Sequence, residues 1–269
     1  AWGWASPLTI GLLIAAGVLL AAWIVVELRA KQPLVDIRMM RLPGVWNTNL
    51  AAILLGAAMF GVWAYFARFL QEPASTGYGL GASVGAAGLT MLPMLVLMAV
   101  AGFFTGPLTR LVSLRTQFAG GAALIALSTV SFAIFHTAVW QLAIAAGLFG
   151  LGLGIAYAAM TNIVVQSVAP TETGVASGMN ANLRTIGSAI GTTLATAIVT
   201  GSAVGGATGG TTGEPTEGGY ALAFLVLAGL AALASLAALV SRGRRAVETP
   251  QTEPEEALVL ATEAELEAA

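Results

Sequence analysis

The chain has 269 residues, 57% apolar and 9% charged, with a formal net charge of −2; a soluble domain carries about 25% charged residues, so this balance excludes an ordinary water-soluble domain. The absence of cysteine excludes disulfides, thiol chemistry and cysteine-ligated metal. The 33 glycines follow no Gly-X-Y period, which excludes collagen, and the mean hydropathy of +0.86 reflects long apolar runs.

A helix needs roughly 20 mostly apolar residues to cross a hydrocarbon core about 30 Å thick. Seven segments meet that requirement. The first is Pro7 to Val26 and the second Trp46 to about Leu70. The third is Ala82 to Phe104 and the fourth Phe118 to Phe135. The fifth is Val139 to Met160, with a continuation toward Val168 left open. The sixth runs from near Thr173 to near Thr200, and the seventh is Tyr220 to Val240. A soluble helical bundle would need polar faces on most of these helices, and the first, fourth and seventh have almost none. The expected fold is an all-α polytopic membrane protein with seven transmembrane helices. The sixth span is the most polar. A charge at the centre of a span costs roughly 3 kcal/mol, so Arg184 is expected in the first turns of that helix, near the membrane surface.

The chain opens Ala1-Trp2-Gly3-Trp4 without an initiator methionine or a basic n-region, so no signal peptide is visible. The expectation is a piece of a longer protein whose beginning lies elsewhere. Basic residues set the orientation. Arg29, Lys31, Arg38 and Arg41 follow the first span, Arg110 and Arg115 follow the third, and Arg242, Arg244 and Arg245 follow the seventh. With seven spans these segments share one side, which is read as cytoplasmic. The start of the chain is then outside and its C-terminus inside. The division expected is an extra helix and cytoplasmic link over 1–41, a six-helix unit over 42–241 and an acidic, solvated cytoplasmic tail over 242–269.

Transport needs polar groups facing a cavity between helices, with apolar faces toward lipid. The second span offers Asn47, Asn49 and Arg68, the fifth Tyr157, Asn162 and Gln166, and the sixth Asn180, Asn182 and Arg184. These are the candidate cavity or gate residues. Asn180, Arg184, Ser188 and Thr192 share one helical face by their four-residue spacing. Gly150 and Gly154, Gly174 and Gly178, and Gly187 and Gly191 pair at the same spacing, which reads as close helix packing. Pro93 inside the third span predicts a bend. No acidic residue lies inside a span, and Glu27 and Glu72 stand at helix ends, so a carboxylate proton relay is expected outside this chain. His136 reads as a polar loop residue. There is no GxSxG, GxxxxGK[ST], HExxH or Cys/His cluster, so neither an enzyme nor a cofactor or metal is expected, and nothing points to nucleic acid.

Three stretches carry a family resemblance. The first is AWGWASP, the first span and then KQPLVDIRMMRLP. The second is Gly106-Pro107-Leu108-Thr109-Arg110-Leu111-Val112-Ser113-Leu114-Arg115, between the third and fourth spans. The third is Pro170-Thr171-Glu172-Thr173-Gly174, continuing through Gly178 and Asn182-Leu183-Arg184 to Gly187. Together they resemble the major facilitator superfamily, specifically its fourteen-helix drug:proton antiporter branch, over residues 1 to about 241. The second stretch is similar to a degraded copy of the loop motif GxLaDrxGrk. Gly106, Leu108 and Arg115 match it, whereas Arg110 stands in place of the aspartate and Ser113 in place of the second glycine, so a full charge-relay latch is not implied. The resemblance implies that spans two to seven are the C-terminal half of a major facilitator fold and that the first is an extra helix. It also places spans two, three, five and six around the cavity. The implied function is proton-coupled export of small lipophilic or cationic compounds. The implied partners are the lipid bilayer, a small-molecule substrate, protons and the N-terminal half of the same transporter. An uptake or metabolite carrier of the same fold is the alternative. A seven-helix receptor fits the topology equally, but not the motifs. A retinal-type site would need a buried lysine, and the one lysine is Lys31, outside every span.

Overall fold

The computed structural model describes residues 6–29, 43–168, 170, 173–203 and 214–240. The link that follows the first span, the tail over 242–269 and Glu172 lie outside the described residues. Seven long α-helices are present among those described: α1 Pro7–Arg29, α2 Pro43–Gln71, α3 Val84–Leu108, α4 Leu114–Ile134, α5 Val139–Gln166, α6 Thr173–Gly201 and α7 Glu217–Val240. The chain is thus an all-α polytopic membrane protein. Six helices are long and apolar enough to cross a membrane; α6 is the exception. Its asparagines, threonines and serines dilute its apolar surface, and it holds its place by packing on α2.

Local chemistry sets the helix ends. The Ser83 hydroxyl accepts from the Ala86 amide at the start of α3, and the Ser113 hydroxyl from the Thr116 amide at the start of α4. Such side-chain oxygens satisfy amide donors that a helix N-terminus leaves free. At α5 the cap comes from within, since the Gln141 side-chain oxygen reaches back to the amides of Thr137 and Ala138. The hydroxyls of Thr90, Thr105, Ser128, Thr129 and Thr196 donate to carbonyls one turn earlier in their own helices. That bond is how a hydroxyl is kept satisfied where no water is at hand. α3 is one helix through both Pro93 and Pro107.

Helices α2 to α7 form one bundle, while α1 stands apart with no extensive interface and its apolar surface exposed along its length. The main pairings are α2 with α6 and α7, α3 with α5, α4 with α5, and α4 with α7. Exchanging α2 with α5, α3 with α6 and α4 with α7 maps this set onto itself. The bundle is therefore built from two three-helix units of like arrangement. Close approach at the two equivalent seams depends on glycine. A Cβ added at Gly187 or Gly191 would strike the carbonyls of Ile53 or Ala57 on α2, and one at Gly150 or Gly154 those of Met94 or Met98 on α3. By contrast, nothing lies near Gly174 or Gly178, so that third pair makes no seam within this bundle.

The core between α2, α4, α5 and α7 is aromatic. Phe66 stacks on Phe132 with ring centroids 4.4 Å apart, and Phe132 also meets Phe149 and Phe224. Where α4 meets α7, the buried Ser235 hydroxyl donates to the Ala119 carbonyl at 2.8 Å. The connections α2–α3, α4–α5 and α6–α7 gather at one end, which carries Glu72, Glu214 and Glu217. The opposite end carries Arg110 and Arg115. These are called the acidic and the basic end below.

Candidate functional site

The sixth helix places Arg184 about three turns after Thr173, and its backbone lies against Gly56 near the middle of α2. The Gly56 notch lets the α6 backbone at Arg184 approach α2 closely. The Arg184 side chain then turns across to α5. One guanidinium nitrogen donates to the Asn180 side-chain oxygen one turn earlier. Another donates to the Tyr157 hydroxyl at 2.9 Å, and the guanidinium carbon lies 4.4 Å from the Tyr157 ring centroid. A cation over an aromatic face is attracted by the ring quadrupole. Asn180 is 2% exposed, its amide nitrogen has no hydrogen-bond partner, and Tyr157 is 41% exposed. Arg184 makes no ion pair with a carboxylate among the described residues. Helices α5 and α6 share only a small interface, so this side-chain bridge is a main link between them.

The other sequence candidates are dispersed. Asn49 is buried on α2 with its amide nitrogen unpartnered, while Asn47 is half-buried. Asn162 is exposed and donates to the Ala158 carbonyl of its own helix, and Gln166 and Asn182 are exposed as well. Gly106 and Leu108, expected in a connection, form the last turn of α3, and Arg115 lies in the first turn of α4. The loop motif is thus mostly helical, with a short turn around Arg110.

Arg68 belongs to a second cluster, at the acidic end, which sequence reasoning missed. Glu72 follows α2 and is 8% exposed. It accepts a hydrogen bond from the fully buried Tyr220 of α7, and Arg68 lies 3.6 Å from it. Phe69 packs edge-on against Tyr220 and against the ring of His136. His136, in the loop as expected, is 2.8 Å from Glu217 and so links the α4–α5 connection to α7. The Tyr78 hydroxyl donates to the Pro215 carbonyl at 2.6 Å. Burial, and then the carboxylates of Glu72 and Glu214, push the Tyr78 phenol up to about 12. The available signal was a helix-terminal glutamate flanked by Arg68 and aromatic residues, but its partner lies far along the chain in α7. Together these contacts fasten the three acidic-end connections to one another.

Among the described residues no group of three metal-ligating side chains is present. What the geometry offers is hydrogen bonding and a positive charge. The chain is 34% identical over 196 residues to the cephamycin export protein of Amycolatopsis lactamdurans, covering 70% of this chain and 38% of that protein. It is 32% identical over 168 residues to a methylenomycin A resistance protein of Streptomyces coelicolor, covering 60% and 33% respectively. A uridine/deoxyuridine transporter of Lactococcus lactis is 26% identical over 174 residues, covering 61% and 34%. The chain thus spans well under half the length of these relatives. The family model of the Major Facilitator Superfamily matches residues 1–192. With that match across most of its length, and a polytopic helical bundle to carry it, the chain belongs to the Major Facilitator Superfamily.

Proposed function

We propose that this chain is the C-terminal part of a proton-coupled exporter of small lipophilic compounds, with α2 to α7 as one half of the transporter and α1 as an extra helix. The observation that carries the reading is the Arg184–Tyr157–Asn180 bridge between α5 and α6. A guanidinium on a helix of the bundle is costly against lipid, so its face turns to an aqueous cavity shared with the N-terminal half. Rocking of the two halves about that cavity would move solute across. Of the two substrate chemistries that the resemblance implies, lipophilic compounds fit better than permanent cations. A fixed positive charge on the cavity wall, with no carboxylate paired to it among the described residues, repels a cation. The export and resistance proteins among the relatives support the efflux direction, and their greater length supports the reading of this chain as one part. The basic end then faces the cytoplasm. Proton coupling rests on the antiporter resemblance.

A second reading, an uptake carrier of the same fold, is favoured by the uridine/deoxyuridine transporter among the relatives. Dye accumulation separates them. The complete transporter containing this chain is expressed in cells stripped of their own exporters, with a neutral lipophilic dye supplied. Export lowers the cell-associated dye, and a protonophore restores it. A rise in accumulation on expression would reject export in favour of uptake.

A further inference from the structure

The bridge described above is rich in donors and poor in acceptors. The guanidinium has five N–H donors in a rigid fork, and the structure gives two of its nitrogens oxygen partners. Both partners are neutral. Arginine cannot accept a hydrogen bond, so the Asn180 oxygen must be the atom turned to Arg184. That leaves the Asn180 amide nitrogen as a second donor, and it is buried without a partner. The Tyr157 oxygen accepts from Arg184, so its own proton remains to be given. Three side chains from two helices thus converge with donors to spare, around a positive charge that no carboxylate among the described residues balances.

We propose that Arg184, Tyr157 and Asn180 form a binding site for a carboxylate group on the transported molecule. This rests on the exporter reading and names the substrate class, a lipophilic acid. A carboxylate offers two oxygens in the geometry of the guanidinium fork. It would give the guanidinium a charged acceptor in place of neutral ones, adding charge–charge attraction to the bidentate hydrogen bonds. The exposed Tyr157 ring gives the adjoining apolar body a face to lie on. Since Arg184 also ties α5 to α6, an acid that takes over its donors loosens that tie as it binds. A phospholipid headgroup is the other source of such an anion, and a bilayer without anionic lipid separates the two.

Three probes sharing one fluorophore test the site: dansylglycine (anionic), dansylamide (neutral) and dansylcadaverine (cationic). Binding is measured on the complete transporter in phosphatidylcholine nanodiscs, which supply no anionic lipid. The expected result is about tenfold tighter binding of dansylglycine than of dansylcadaverine, on the scale of one charge-assisted contact. Arg184→Gln removes that preference, so that dansylglycine binds no tighter than dansylamide on the same variant. Arg184→Lys keeps the preference for the anion but weakens it, because a point charge cannot reproduce the fork. Tyr157→Phe weakens dansylglycine selectively. Equal binding of the three probes by the unaltered protein overturns the site without recourse to any variant, as does an anion preference that survives Arg184→Gln. Proton-driven accumulation in inside-out vesicles is measured separately. Anion binding at Arg184 without accumulation rejects the exporter reading and keeps the site. Accumulation with no charge preference rejects the site and keeps the exporter.

Discussion

Glu72 and Tyr220 show how much a single pair can decide at the acidic end. The Tyr220 side chain is 0% exposed and donates a hydrogen bond to Glu72. Removing the acceptor strands a buried hydroxyl, which costs about 1–3 kcal/mol. Glu72→Ala is therefore expected to lower the thermal unfolding midpoint in detergent clearly, followed by intrinsic fluorescence. Glu72→Gln keeps an oxygen for Tyr220 and is expected to lower it much less. Similar losses in both would mean that the charge, not the hydroxyl's acceptor, matters. Tyr78 offers a titration at the same end. Burial and the neighbouring carboxylates favour its neutral form and push it up from the ordinary phenol range to about 12. Ultraviolet difference absorbance of the unaltered protein against Tyr78→Phe should therefore show a phenol that stays protonated at pH 10 and ionises near 12.

The helices meet through two kinds of seam. Where α6 crosses α2 and α5 crosses α3, glycine lets backbone touch backbone. Gly191→Val is expected to force the two helices apart and to cost about 1–3 kcal/mol or more, the scale of an overpacked core. Gly174→Ala has nothing near it and is expected to be neutral or to stabilise, because alanine is the better helix former by roughly 0.5–1 kcal/mol. Thermal midpoints of the two variants check this, and a loss at Gly174→Ala as large as at Gly191→Val would contradict the assignment of seams. The four-residue spacing of the three glycine pairs is the same. Spacing puts two glycines on one face, but which neighbour that face meets depends on how the helices pack. Gly174 and Gly178 lie near the basic end of α6, below the stretch that reaches α2.

At the scale of the molecule, the charge asymmetry sets the expected orientation. The basic end is predicted to be cytoplasmic. The absence of cysteine makes the test direct. In intact cells expressing this chain, an impermeant thiol reagent should label Ser75→Cys, on the exposed turn at the acidic end, and spare Leu111→Cys at the basic end. Labelling of Leu111→Cys with Ser75→Cys spared would invert the topology.

Seven helices in their observed order were legible in the amino-acid sequence because length and apolarity are local quantities, and a spanning helix satisfies its own backbone. The helix ends moved by only a few residues, mostly where capping rather than hydropathy decides. The polar character of α6 was legible too, and Tyr157, Asn180 and Arg184 stood among nine polar candidates. Their union was not legible, because Tyr157 and Arg184 stand on different helices whose relative rotation only packing fixes. The same holds for the close approach of Arg184 to α2, which depends on the glycine notch at Gly56 on another helix. The acidic-end cluster was invisible for a like reason: Glu72, His136 and Tyr220 are ordinary as single letters, and only the convergence of three connections brings them together. Local chemistry thus determined what each segment is, and long-range packing decided which polar side chains meet.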